Sequence, residues 1–478
     1  MQNIWRKEWL FITICVLGYC AAVLIVPPYT PLIEPDSKGY IDFDPLRSAF
    51  YPAFLYLCRA AGLSLVQTTW VQLAIFGAAL GYLLSALRRI DVPRYMLAAL
   101  VLLLAANVLF SSFHRSILTE SLYFSGTAVL LGLWLDYFRS GQGRFLFLAG
   151  LILGLMIGVR PAGIGVVPMQ LLAAWLRRPP QMISKWLMVA LAVAPVMIGA
   201  GSERVLYRAV HVDKSESTTP NLLIGMAAML VQPNMKFTGP RAQTLTQLST
   251  RLDETYGPTQ KYLADAPTIS VRVQLSAAYQ ALSQFRALAS ELVEAAKKEN
   301  TTPDALRAEL GKQIVSQNIS GYVRLMLVNY FGQWCVAVRN FPPTARRLAE
   351  YANTNPSISL GGQISHAELH PRPTIVGLVV YPAFLVAGAV TLALTAVFLF
   401  FVWSPSLMNS PEGFYLGIAV FLAAMCQGYT LFISLINEWT PRFLMAVFPQ
   451  LEIVAMCLTL IILHRCGIIT LRRPSSAV

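Results

Sequence analysis

Apolar runs recur along the chain near residues 9 to 27, 65 to 87, 95 to 111, 118 to 136, 145 to 159, 162 to 176, 184 to 200, 374 to 403, 413 to 435 and 443 to 463. Most hold about 17 to 25 residues, the length a helix needs to cross a ~30 Å hydrocarbon layer. Lipid offers no partner to an unpaired backbone amide or carbonyl, so each run is read as a helix. The pattern predicts an all-α fold, a polytopic transmembrane bundle of about ten helices. Between the seventh and eighth runs lies a stretch, 201 to 373, too long for a plain connection in a compact protein. Segments of it such as Leu275 to Lys298, rich in Ala, Leu, Glu and Gln, favour helix without the apolar length to span, which predicts a mainly helical domain outside the bilayer. Gly321 to Val338 is apolar and aromatic yet carries Arg324, Asn329 and Gln333. A crossing there would break helix parity, so it is read as a helix on the outer membrane surface or under the outer domain. The organisation expected is a transmembrane module at 1–200, an outer domain at 201–373 and a second transmembrane module at 374–478.

Charge gives this pattern a direction. With the N-terminus in the cytoplasm, thirteen Lys and Arg residues fall at inner ends, among them Arg6, Arg88, Arg139 and Arg177. Six occupy the short outer loops: Lys38, Arg47, Arg59, Arg115, Arg160 and Arg442. That bias follows the positive-inside rule and predicts cytoplasmic termini with residues 201 to 373 extracytoplasmic, in the cytoplasmic membrane of a cell with an envelope. The first run follows Arg6 and Lys7 and is read as a retained helix, because it is long for a signal peptide.

Composition excludes other classes. The chain is 56% hydrophobic and 13% charged, whereas a soluble domain carries roughly 25% charged residues, so a soluble enzyme is ruled out. The formal charge of +13 raises nucleic acid as a partner, but the basic residues sit beside apolar runs, where they anchor helices and meet anionic lipid. The seven cysteines show no CxxC and lie mostly within apolar runs, so neither a disulfide framework nor a zinc knuckle is expected. Gly150, Gly154 and Gly158 form a small-residue ridge that admits a close helix neighbour.

Candidate chemistry gathers on the outer side. The first outer loop, Glu34-Pro35-Asp36-Ser37-Lys38-Gly39-Tyr40-Ile41-Asp42-Phe43-Asp44, holds four carboxylates in eleven residues and leads through Arg47 into the aromatic Phe50-Tyr51-Pro52. Arg115 and Glu120 flank the second outer turn, Arg160-Pro161 closes the fifth run, and Glu438-Trp439-Thr440-Pro441-Arg442 joins the last two. Taken singly, Lys38, Asp42, Asp44 and Arg47 read as solvated loop charges. Jointly, a carboxylate-rich loop with arginines at several outer helix ends suits an enzyme that handles a lipid phosphate. His366 and His370 flank Glu368 before the eighth run, but no ligand from elsewhere in the chain is visible, so the stretch reads as an interfacial polar cluster and neither metal nor cofactor is expected. Glu452 lies within the last run, where pairing inside the bundle is the expectation.

At these residues the chain resembles the polyprenyl-phosphate-dependent glycosyltransferases of the GT-C fold, which include protein mannosyltransferases and the aminoarabinose transferase of lipid A. The resemblance rests on Asp36-Ser37-Lys38-Gly39-Tyr40, Tyr51-Pro52, Thr119-Glu120, the Gly-rich run ending in Arg160-Pro161, and Arg442-Phe443. It covers residues 1 to 200 and, more weakly, 374 to 465. It implies inverting sugar transfer from a polyprenyl-phosphate donor to a glycan, lipid or protein acceptor at the outer membrane face. Asp36 is then the general base, with Glu34 and Glu120 orienting base or acceptor. Arg115, Arg160 and Arg442 hold the phosphate, and Tyr40, Asp42 and Arg59 are further substrate contacts. Two other classes stay open: a transporter or flippase of a lipid-linked or anionic substrate, marked by inverted repeats and interrupted helices, and a non-catalytic assembly or receptor subunit.

Overall fold

The computed structural model describes residues 2–25, 31–34, 36–177, 185–211, 219–265, 272–273, 276–277, 279–280, 283–284, 287–334, 375–404, 408–437 and 441–471. The His366 to His370 stretch, Glu438 to Thr440 and residues 335–338 lie outside them. Among the described residues the structure is helical, and the single β feature is an isolated parallel bridge between Leu32 and Ser116. The chain forms two compact units, one of residues 1–216, 389–429 and 445–478, the other of 217–388 and 430–444. The two apolar modules read separately in the sequence therefore contribute to one unit.

In the first unit the helices are α1 (Gln2–Ile25), α2 (Ser37–Ile41), α3 (Phe50–Ala60), α4 (Leu65–Arg89), α5 (Arg94–Ala106), α6 (Val108–Ser112), α7 (Glu120–Ser140), α8 (Gly143–Val159), α9 (Val167–Leu176) and α10 (Lys185–Val210). Among the described residues six helices are long and apolar enough to cross a membrane: Arg6–Ile25, Leu65–Arg89, Trp186–Val210, Ala383–Val402, Pro411–Ile436 and Phe448–Arg465. The protein is accordingly a multi-pass membrane protein. Six such helices are fewer than the ten apolar runs, for three physical reasons. The third run is broken, since α5 and the Val108–Arg115 segment bend by 70° at Asn107. The Asn107 side chain accepts a hydrogen bond from the Phe110 amide at 3.1 Å, starting a new helix instead of continuing the old one. Next, α8, with 17 residues, and the Pro161–Leu176 segment are short apolar helices. Lastly, α7 is too polar to qualify alone, yet sixteen of its 21 residues are buried, so neighbouring helices shield it from lipid.

That central helix packs on α4 and α8, and α8 packs on α10. The glycine ridge of α8 makes the last contact: a methyl on Gly154 would lie 2.9 Å from the Gly199 Cα and closer still to the Val196 carbonyl. At one end of the unit, charges expected on the inner side meet. Arg88 and Arg94 both bind Glu8, at 3.0 and 2.9 Å, and buried Asp136 takes two hydrogen bonds from Arg89, at 2.8 and 2.6 Å, and one from the Tyr82 hydroxyl.

In the second unit, α11 (Thr219–Leu230), α12 (Ala242–Ala264), α13 (Ala289–Lys298), α14 (Pro303–Gln317) and α15 (Ile319–Trp334) enclose a core that includes Ile224, Leu248, Leu292, Leu306 and Leu310. The helix expected over Leu275 to Lys298 is interrupted at Leu288, whose φ of 54° is left-handed. Beyond α15 come α16 (Ile375–Trp403), α17 (Pro411–Ile436), α18 (Pro441–Met445) and α19 (Phe448–Arg465). The Gly321 stretch falls on α15, which is not among the membrane-length helices. It docks on the C-terminal end of α17, where the Tyr322 hydroxyl and the Asn329 amide donate to the carbonyls of Leu435 and Asn437. Ile319, Val323, Leu327 and Phe331 form an exposed apolar stripe along it at a spacing of four, the pattern of a helix lying along an apolar surface.

Candidate functional site

The first outer loop folds back on the bundle through contacts that begin with its backbone. Leu32 donates to the Arg115 carbonyl at 2.9 Å, and its own carbonyl accepts from Ile117 at 3.1 Å, which ties the loop to the turn before α7. Farther along, the Ser48 hydroxyl donates to the Val159 carbonyl at 3.0 Å, and the Ala49 amide donates to the Glu203 carboxylate at 2.6 Å. The Tyr207 hydroxyl donates to the Pro45 carbonyl at 2.7 Å. The loop is thereby fastened to the ends of α8 and α10. The start of α2 is set by a reciprocal pair: Glu34 donates its amide to the Ser37 hydroxyl, and Ser37 donates its amide to the Glu34 carbonyl. Asp36 is fixed in between, partly exposed.

Two ion pairs occupy this pinned region. Arg47 holds Asp36 at 2.9 Å, with both side chains 27% exposed. Arg160 holds Glu120 at 2.9 Å, with side chains 9% and 2% exposed. Glu120 opens α7, where the positive end of the helix favours a carboxylate. Arg160 closes α8 in an extended conformation that aims it off the helix axis, and Pro161 prevents the helix from continuing. The sequence offers Arg160 no nearby acid; the fold supplies one from forty residues away.

Tyr40 stands between the pairs. Its ring carries the Arg47 guanidinium 4.9 Å from the centroid and meets Tyr51 edge-on at 5.2 Å. Burial pushes the Tyr40 phenol above its usual range, the Glu120 carboxylate adds to this, and Arg47 opposes it, with smaller contributions from Asp36 and Arg160. All four charged groups thus act on one ring. Tyr51 is fully buried and donates to the Gln72 side-chain carbonyl at 2.6 Å, and the Gln72 amide donates to the Ser116 carbonyl at 3.1 Å. Burial first, then Glu120, raises the Tyr51 phenol far above its usual value.

Beside Tyr40 opens a cavity of about 680 Å³, walled by Pro52, Leu55, Leu65, Leu206 and Val210, with Asp42 and Arg59 among its polar lining residues.

The structure brings together Asp36, Tyr40, Glu120 and Arg160 among the residues singled out in the sequence. Asp42 and Arg59 share the adjacent cavity, Glu34 is exposed, and Arg115 joins the cluster through its backbone carbonyl with a half-buried side chain. Arg442 belongs to the second unit, in α18, with its guanidinium 5.7 Å from the Phe443 ring. Glu452 is half-buried on α19 and makes no ion pair among the described residues. Sequence reasoning passed over the roles of Arg47, Gln72 and Glu203. Glu203 carried the clearest signal, a carboxylate just past an apolar run, and it lies buried. Among the described residues there is no group of three or more His, Cys, Asp or Glu side chains arranged for a metal ion. Comparison with protein-family models, curated proteins and solved structures gives no match for the chain.

Proposed function

We propose that the protein is a membrane glycosyltransferase that moves a sugar from a polyprenyl-phosphate donor to an acceptor at the outer face of the cytoplasmic membrane, with inversion. The termini are then cytoplasmic, and the domain expected at 201–373 extracytoplasmic. The observation that carries the reading is the pairing of a partly exposed carboxylate, Asp36, with Arg47, whose guanidinium rests on Tyr40, a residue lining a mainly apolar cavity of about 680 Å³. That arrangement suits a ligand with a lipid chain, an anionic phosphate and a reacting hydroxyl.

In the proposed step, Asp36 accepts the proton of the acceptor hydroxyl as its oxygen bonds to the anomeric carbon. The bond from that carbon to the phosphate oxygen breaks, and its electron pair leaves with polyprenyl phosphate. The arginines neutralise the growing charge, which lowers the barrier because the donors are already oriented. The leaving phosphate needs no proton, so one carboxylate suffices, unlike the paired acids of glycosidases. Glu120, tied to Arg160, serves by setting where that guanidinium points.

The test is sugar transfer from a purified polyprenyl-phosphate donor by the purified protein and by Asp36→Asn. The competing reading, a transporter of a lipid-linked or anionic substrate, gains one observation, the 70° break at Asn107, since broken helices often build transport sites. Uptake or flipping by a protein indifferent to Asp36→Asn would favour it.

A further inference from the structure

The two ion pairs of the cluster differ in a way that bears on how the site is switched on. The Glu120–Arg160 pair is nearly sealed from water, whereas Asp36 and Arg47 each keep 27% of their side-chain surface. A partly solvated pair exchanges partners more readily than a sealed one, because water can replace a lost contact as it breaks. The chain is also built to let Arg47 move alone. Its neighbours Ser48 and Ala49 are pinned to Val159 and Glu203, so the backbone is held while the side chain, 27% exposed, keeps an open side. Gly39 leaves the guanidinium its place, since a Cβ there would stand 2.8 Å from the Arg47 Nε. The guanidinium rests on Tyr40, the residue that also lines the apolar cavity, so an anion at the head of a lipid chain in that cavity arrives beside it.

We propose that Arg47 is a ligand-operated guard on Asp36. In the empty site it occupies the carboxylate; a lipid-borne phosphate draws the guanidinium to itself, and Asp36 becomes able to take a proton. Arg47 is then a positioning residue that keeps the base idle until donor is present and afterwards holds the phosphate. Phosphate competes well because it presents more oxygens and, once the sugar has left, more charge than a carboxylate. Tyr40, on whose ring Glu120 and Arg160 also act, stays in place throughout. The inference rests on the transferase reading, and its test separates the two.

Purified protein in detergent is treated with a water-soluble carbodiimide and glycine ethyl ester, and the modification of Asp36 is followed by mass spectrometry, with and without undecaprenyl monophosphate. Saturable binding of that lipid is measured in the same samples. The expected result is at least a threefold rise in Asp36 modification when the lipid binds. In Arg47→Gln the modification is fast without lipid and does not respond, while Arg47→Lys is intermediate. A merely structural Arg47 would leave wild-type modification unchanged by lipid. Binding without such a rise overturns the guard and leaves the transferase reading standing; absence of saturable binding overturns both. The wild-type response decides the matter even if a variant fails to fold.

Discussion

Removing Arg160 damages the fold before it can report on chemistry. Its partner Glu120 has a side chain 2% exposed, and a carboxylate that loses its cation at such depth is strongly penalised. Breaking a buried ion pair by deleting one partner costs about 3 to 5 kcal/mol, whereas a solvent-exposed pair contributes about 0 to 1 kcal/mol. Arg160→Met therefore destabilises by ~3 to 5 kcal/mol, a large part of the ~5 to 15 kcal/mol typical of a whole domain. Arg47→Met costs less than Arg160→Met, since Asp36 already keeps 27% of its side-chain surface. The double variant Glu120→Leu, Arg160→Met removes both charges together and recovers most of the loss, because apolar side chains of similar volume fill such a site well. The assay is equilibrium unfolding in mixed micelles followed by near-ultraviolet circular dichroism, with double-mutant-cycle arithmetic on the midpoints. If Arg160→Met is as stable as Arg47→Met, or the double variant no better than the single, the pair is not the buried contact described. Loss of sugar transfer in an Arg160 variant is therefore interpretable only beside its unfolding curve.

Gly154→Ala forces α8 off α10, because the added methyl would overlap the Val196 carbonyl; an overpacking cost of ~1 to 3 kcal/mol follows, measured by the same unfolding, while Gly201→Ala, inside α10 with nothing within 4 Å, is stabilising by up to ~1 kcal/mol. Glu203→Ala removes the acceptor of the Ala49 amide, so hydrogen exchange at Ala49 speeds up severalfold while exchange within α4 is unchanged. Tyr40 ionises above its usual 10.0, and Arg47→Gln, by removing the opposing cation, moves it higher still; ultraviolet difference titration against Tyr40→Phe reads this. The sign follows from linkage: below pH ~10 both states keep the proton, and above it the unfolded phenol ionises first, so this contribution to stability is lost as pH rises. Single cysteines replacing Ser290 and Asp91 in a cysteine-free background report sidedness, the first labelled by an impermeant thiol reagent on intact cells and the second only after permeabilisation.

The helices were legible because lipid imposes a single solution on a long apolar run, and among the described residues each run falls on helix, the third on two. What ends or breaks a helix was less legible. Asn107 stands alone in an apolar stretch, and whether its side chain caps a new turn or points into the bundle depends on packing that no local pattern carries. The seventh run was taken to stop near 200, yet α10 continues to Val210, carrying Glu203 and Tyr207 to the first outer loop. The glycine ridge was readable because spacing alone puts Gly150, Gly154 and Gly158 on one face, whereas its partner α10 was not. In the site, residue types and sidedness pointed to Asp36, Tyr40, Glu120 and Arg160, but pairing did not follow from spacing. Glu120 and Arg160 are forty residues apart and meet because α7 and α8 run antiparallel. Arg47 read as a solvated loop charge because nothing in the sequence folds its loop back onto Asp36.

The central claim is that Asp36 is the base of a transfer reaction driven by a lipid phosphate. Its most direct measurement is single-turnover release of polyprenyl phosphate from purified polyprenyl-phosphate sugars, mannose and aminoarabinose among them. The reaction is run with an extract of envelope acceptors and compared between wild-type protein and Asp36→Asn. The variant keeps the size and most hydrogen bonding of the carboxylate but cannot accept a proton, so the rate should fall by ~100-fold to 10,000-fold with donor binding nearly unchanged. Equal rates in the two proteins, or no release by either with any donor, would contradict the account.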